Sequence, residues 1–312
     1  MDLCSPSAVR QLLDKYGLAP KKGFGQNFLV NAAVPQRIAA CSRGTAPADR
    51  PAAVLEIGPG VGALTQYLAR EYDRVVCVEI DRGLIPLLGE ALREYGNVTV
   101  IEADFMELDL PAFLEERFGD LTKEGGTVSV CANLPYYITT PVIMKLIERF
   151  PADRPLLFAS FTVMVQTEVA RRLAAEAGSA DYGAISASLA LRCRAEKLFD
   201  VAPGNFLPAP KVSSSVVGIV PHGGIRELYP DAPCCSDDPE DPDGLPRFAA
   251  RTAELIGLAF GQRRKTLVNA LSSKYPKEKT AAALESCGLR SDIRGERLSA
   301  LDFCRLADRL SR

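Results

Sequence analysis

Four times between residues 53 and 150, a short apolar, β-branched run gives way to a helical pattern. The runs cover residues 53–57, 74–79, 98–102 and 127–132, and the expected helices cover 62–72, 84–95, 111–118 and 140–150. A fifth apolar run follows at 156–165, then helical stretches at 168–177 and 184–191 and a β-rich run at 213–220. Parallel strands need crossover connections, and crossover helices cover both faces of the sheet. The alternation therefore predicts a mostly parallel, doubly wound α/β sheet. Two short helices are expected ahead of it. One starts at Ser5-Pro6, carries a stripe of Val9, Leu12, Leu13 and Tyr16, and stops at Gly17; the other covers 35–41.

The pattern changes after residue 224. Residues 225–247 are rich in Pro, Asp and Gly and read as a linker or insertion. Residues 248–312 are helical only, with Leu255, Leu258 and Ala259 continuing into Leu267, Val268 and Leu271, and with further helices at 281–289 and 301–310. The expected organisation is an α/β domain over 1–224, an acidic linker over 225–247 and a small all-α domain over 248–312. Charge follows the same division. The net charge is −2, but residues 227–243 hold seven acids and no base, so the remainder carries +5. Residues 248–312 contribute thirteen Lys/Arg against seven Asp/Glu, including Arg263-Arg264-Lys265. Such a patch suits a phosphate backbone.

Composition also excludes chemistries. There is one histidine, His222, and the nine cysteines form no CxxC pair, which argues against a zinc site and against a Ser-His-Asp triad. No apolar run is long enough to span a bilayer, and residues 1–16 lack a signal-peptide stretch, so a cytoplasmic location is expected. The chemistry must then run on amides, carboxylates, aromatic rings and backbone.

In an open α/β sheet the ligand lies beyond the carboxyl ends of the strands. The first strand runs into Gly58-Pro59-Gly60-Val61-Gly62, a turn that lets backbone approach a ligand. The second ends at Glu79, 21 residues after Gly58, where a carboxylate can accept both hydroxyls of a ribose. The third ends at Asp104, a possible acceptor for the exocyclic amine of adenine, with Ile80 and Phe105 as walls. The turn is GxGxG without a longer phosphate loop, which fits an adenosine lacking pyrophosphate, and S-adenosylmethionine is such a molecule. The fourth strand leads into Asn133-Leu134-Pro135-Tyr136, an amide and an aromatic ring suited to a planar amine. Together these favour methyl transfer over hydride transfer.

Gly25-Gln26-Asn27-Phe28-Leu29, the 56–62 turn, Val78-Glu79-Ile80-Asp81, Ala103-Asp104, Asn133-Leu134-Pro135-Tyr136 and residues 205–212 occur in this order, and residues 260–267 follow in the helical part. In these motifs the chain resembles the ribosomal RNA adenine dimethyltransferases, in particular their bacterial small-subunit branch. The resemblance implies a Rossmann-like methyltransferase sheet of seven strands with an antiparallel last strand, and a helical C-terminal domain that helps dock RNA. It implies S-adenosylmethionine as cofactor, with Asn27 and Leu29 closing over its methionine end, Gly58 beneath it, Glu79 on the ribose, Asp104 on the adenine and Asn133 bordering both cofactor and substrate. It also implies N6,N6-dimethylation of two adjacent adenines near the 3′ end of 16S rRNA, in the immature small subunit, by a monomer. Asn133 Oδ1 and the Leu134 carbonyl would accept the amine hydrogens, with Tyr136 and Phe206 stacking on the flipped base. Two departures stand out: the acidic segment is longer than usual, and Ser213-Ser214 follows Val212 where an Asp usually stands. Two other readings remain open, an rRNA-binding assembly factor with methylation secondary, and a large-subunit rRNA adenine methyltransferase.

Overall fold

The computed structural model describes residues 3–44, 49–148, 158–230, 232 and 244–311. Its elements, in chain order, are α1 (Pro6–Lys15), β1 (Phe28–Leu29), α2 (Ala33–Arg43), β2 (Ala52–Ile57), α3 (Thr65–Glu71), β3 (Arg74–Glu79), α4 (Leu84–Ala91), β4 (Val98–Glu102), α5 (Leu110–Lys123), β5 (Thr127–Asn133), α6 (Thr139–Glu148), β6 (Phe158–Gln166), α7 (Thr167–Leu173), α8 (Ala184–Ala190), β7 (Cys193–Val201), β8 (Phe206–Leu207), β9 (Ser214–Pro221), α9 (Gly224–Leu228), α10 (Gly244–Gly261), α11 (Leu267–Ala270), α12 (Lys277–Ser286) and α13 (Ala300–Ser311).

Seven strands form one sheet in the order β4-β3-β2-β5-β6-β9-β7. β4, β3, β2, β5 and β6 run parallel, and β9 joins β6 antiparallel. The central strand β2 is buried at every residue, as a strand covered on both faces must be. From β2 the chain moves outward through β3 and β4, then returns to place β5 on the other side of β2. The order reverses between β2 and β5, and that switch point is where the connecting loops diverge and leave a crevice.

β7 was not legible as a strand. It lies at the sheet edge, and its sequence Cys193-Arg194-Ala195-Glu196-Lys197-Leu198-Phe199-Asp200-Val201 is largely exposed or half-buried. Charges on an edge strand block pairing with other chains, and they also erase the apolar signature. The expected helix at 168–177 stops at Leu173, and the expected continuation through residue 271 is interrupted at Gly261, where α10 ends before α11 starts at Leu267. α9 and the start of α10 occupy parts of the expected linker, while residues 231 and 233–243 of the acidic run lie outside the described residues, as do 149–157.

By their contacts the described residues divide into two compact units, one comprising residues 3–148, 158–170 and 196–220, the other 171–195 and 221–311. The first holds a core of β2, β3 and the helices around them, with Val54, Val75, Leu68 and Leu87 fully buried. The second is built around Phe303, Leu306, Leu255 and Leu298. In it Tyr182 donates its hydroxyl to the Leu298 carbonyl at 2.9 Å and meets Phe260 edge-on, with ring centroids 5.7 Å apart. No helix among the described residues is long and apolar enough to cross a membrane.

Candidate active site

The crevice beyond β2, β3, β4 and β5 holds a cavity of about 210 Å³, and every site residue expected from the sequence lines it: Asn27, Leu29, Gly58, Glu79, Asp104, Asn133, Leu134, Tyr136 and Phe206. Among the described residues its lining contains three carboxylates, Glu56, Glu79 and Asp104, and no Lys, Arg or His. A pyrophosphate would find no cation there, whereas a positively charged ligand meets negative charge.

The glycine turn explains itself at two positions. Gly58 and Gly60 have φ of +70° and +60°, which L-residues with a Cβ avoid. A Cβ on Gly58 would meet nothing within 4 Å, so its face is open to a ligand. A Cβ on Gly60 would come within 3.1 Å of the Phe28 ring, so this glycine lets the N-terminal loop lie against the turn. Glu79, 4% exposed, steadies the same turn. Its Oε2 accepts from Gly60 N–H at 3.2 Å and its Oε1 from Asp81 N–H at 2.8 Å. A carboxylate has about four acceptor sites, so two remain for hydroxyl donors. Burial raises the Glu79 pKa, and those backbone bonds pull it partly back. At the end of β4, Asp104 Oδ1 accepts from Met106 N–H at 2.8 Å, and Ile80 and Phe105 flank it in the lining.

Two residues that the sequence reading left unassigned belong to this centre. Glu56 on β2 is 1% exposed and accepts from the Cys77 thiol at 3.4 Å, and burial drives its pKa up to about 7. Asp81 fastens the N-terminal loop: Lys21 Nζ reaches it at 2.6 Å, Gln26 Nε2 at 2.9 Å and Gly83 N–H at 3.0 Å. Burial pushes the Asp81 carboxyl up, but these donors outweigh it and hold its pKa below the usual range. Both lay inside quoted motifs; what distinguished them was burial and long-range bonding, which local spacing does not reveal.

The side of the cavity around the 133–136 turn is assembled across the chain. Asn133 Nδ2 donates to the Asn27 carbonyl at 3.2 Å, and Asn27 Nδ2 donates to the Gly25 carbonyl at 3.0 Å. Leu134 continues the β5 ladder through its N–H to Met164, at 3.2 Å. The turn that follows closes through the next carbonyl, Pro135, which accepts from Ile138 N–H and Thr139 Oγ1, each at 3.2 Å. Tyr136 is fixed by a 3.0 Å bond between its hydroxyl and that of buried Ser214. β1 and β8 pair antiparallel, Phe28 with Leu207 and Leu29 with Phe206, which brings the 25–29 and 205–212 motifs together. Phe206 lines the cavity but is only 4% exposed, packed into the core of its unit. The aromatic ring with a free face at the lining is Tyr137, 58% exposed, which the sequence reading did not assign.

A model of the family described as "Ribosomal RNA adenine dimethylase" matches residues 17–228. Among its relatives, the chain is 37% identical over 99% of its length to "Ribosomal RNA small subunit methyltransferase A" of Anoxybacillus flavithermus, covering 96% of that protein, and 38% identical over 97% to the protein of the same name from Alkaliphilus metalliredigens, again covering 96%. Two solved structures share the fold. The 23S rRNA methyltransferase ErmE superposes with a TM-score of 0.63 at 24% identity, over 92% of this chain and 100% of its own. A dimethyladenosine transferase from Plasmodium falciparum gives 0.65 at 24% identity, over 89% and 95%. The sheet order, the negatively lined cavity and full-length identity of this degree agree: this chain belongs to the ribosomal RNA adenine dimethylase family, enzymes that methylate rRNA with S-adenosylmethionine.

Proposed function

We propose that the protein dimethylates N6 of two adjacent adenines near the 3′ end of 16S rRNA during maturation of the small ribosomal subunit. The relatives that match over nearly full length are named for the small subunit, which supports this target. The single observation that carries the chemistry is the tethered amide of Asn133: its Nδ2 is spent on the Asn27 carbonyl, which leaves Oδ1 as the acceptor.

The bound cofactor supplies an electrophilic methyl group on a sulfonium. Gly58 gives it room, Glu79 holds the ribose hydroxyls and Asp104 the adenine amine, while Asn27 and Leu29 cover the methionine end. An adenine amine is a weak nucleophile because its lone pair is delocalised into the ring. Asn133 Oδ1 and the Leu134 carbonyl accept its two hydrogens, which draws the nitrogen toward a tetrahedral shape with the lone pair exposed. Placement of this kind supplies roughly 7–11 kcal/mol, and two fixed acceptors add electrostatic stabilisation. Tyr136 stacks on the extruded base, with Phe206 and Tyr137 as the further aromatic surfaces of the lining. The helical unit docks RNA through exposed cations such as Arg264 and Lys265.

Incubation with labelled S-adenosylmethionine and immature small subunits should place label on two neighbouring adenines of 16S rRNA. Label on large-subunit RNA, or on none, overturns the reading. Asn133→Ala should abolish transfer and leave RNA affinity near that of the wild type; equal loss of both would make Asn133 a structural residue.

A further inference from the structure

Helix α6 carries a charge where its neighbours are apolar. Val142, Ile143, Leu146 and Ile147 are all 2% exposed or less, and Lys145 among them is 7% exposed. A buried ammonium is costly unless it is well bonded. Lys145 Nζ donates to the carbonyls of Phe105, Met106 and Leu108 at 2.8, 2.8 and 2.7 Å, and lies 5.4 Å from the centre of the Phe105 ring. All three carbonyls belong to the turn that follows Asp104.

One of those bonds reaches further than the turn. The Phe105 carbonyl and the Met106 N–H are the two ends of one peptide plane and point in opposite directions. Lys145 holds the carbonyl end, and Asp104 Oδ1 accepts from the N–H end at 2.8 Å. The ammonium thus fixes the plane against which the Asp104 carboxylate is set, and polarises that N–H toward it. Phe105 and Met106 themselves line the cavity beside Asp104. We propose that Lys145 is the positioning residue of the cofactor's adenine pocket: through the Phe105–Met106 peptide it aims the Asp104 carboxylate, and through the same turn it holds the pocket wall. This rests on the assignment of Asp104 to the adenine amine.

The test compares two ligands, S-adenosylhomocysteine and S-inosylhomocysteine, by calorimetry. The second carries a carbonyl in place of the amine. Wild-type protein should bind the adenosyl ligand more tightly. Lys145→Met should raise its Kd roughly tenfold to a hundredfold, the loss expected for bonds to a charged group, and change the inosyl Kd by less than about threefold. The ratio of the two affinities should collapse, which general loosening of the fold would not produce. Lys145→Gln keeps two donors and should show the same collapse in smaller degree; it serves as the test if the methionine variant does not fold. A folded variant that keeps the wild-type ratio overturns the inference alone. Wild-type protein that binds both ligands equally overturns the Asp104 assignment and the inference with it.

Discussion

Replacing Glu56 with glutamine should stabilise the ligand-free protein at pH 8 and do so only slightly at pH 5. Burial is the main reason the Glu56 pKa stands at about 7 instead of 4.5; the neighbouring Thr65 and Cys77 side chains lower it, and the Glu79 charge adds to the rise. Between those two values the folded chain keeps a proton that the unfolded chain has lost. The folded state then binds more protons, so stability falls as pH rises from 4.5 to 7 and levels off above it. At 1.36 kcal/mol per pKa unit, the full loss is about 3 kcal/mol. Glutamine cannot ionise, and its carbonyl can still accept from the Cys77 thiol that bonds Glu56 at 3.4 Å. Glu79, whose pKa is also raised, is present in both proteins, so only its charge coupling to Glu56 enters the difference. Urea denaturation at pH 5, 6, 7 and 8 should therefore give a gap between variant and wild type that opens from about 1 kcal/mol to about 3 kcal/mol. A gap that does not change with pH would refute burial of an ionisable Glu56 as its cause.

The two open-φ glycines should separate. Gly60→Ala should cost about 1–2 kcal/mol from its φ alone and more from the 3.1 Å approach to Phe28, read as a lowered urea midpoint. Gly58→Ala should show only the backbone cost but lose cofactor affinity in calorimetry, because its Cβ enters the cavity. Asp81→Asn, which breaks the ion pair to Lys21, should weaken cofactor binding roughly tenfold by freeing the 21–29 loop. Arg264→Glu should lower RNA affinity and reduce the slope of log affinity against log salt by roughly one to two. Arg263 is the poorer probe, since its Nη2 also donates to the Tyr182 carbonyl at 2.9 Å.

The strand-end half of the cavity lining was legible because it is written at strand ends. Gly58, Glu79 and Asp104 lie at the ends of β2, β3 and β4, and a short apolar run leading into a carboxylate or glycine can be read locally. The edge strand β7 escaped for the opposite reason: its residues face solvent, so the apolar pattern that marks β2 is absent. The same contrast explains Phe206. Its motif was visible, but its 4% exposure depends on packing against a core drawn from distant segments, and that no spacing encodes. Asp81 and Glu56 were quoted inside motifs, yet their burial and their partners Lys21, Gln26 and Cys77 appear only once the chain is folded.

One loop joins the two halves. Residues 21–29 are held by Asp81 at the end of β3, through Lys21 and Gln26. They are held again by Asn133 at the end of β5, through the Asn27 carbonyl, and a third time by the β1–β8 pairing with Phe206 and Leu207. The loop that lines the cavity therefore also accepts the bond that orients the Asn133 amide. The Asn133 amide is bonded to this loop through the Asn27 carbonyl, so a displacement of the loop would disturb the cavity lining and the amide orientation together. In the proposed reaction that coupling would give the neutral Asn133 side chain the fixed geometry an acceptor needs.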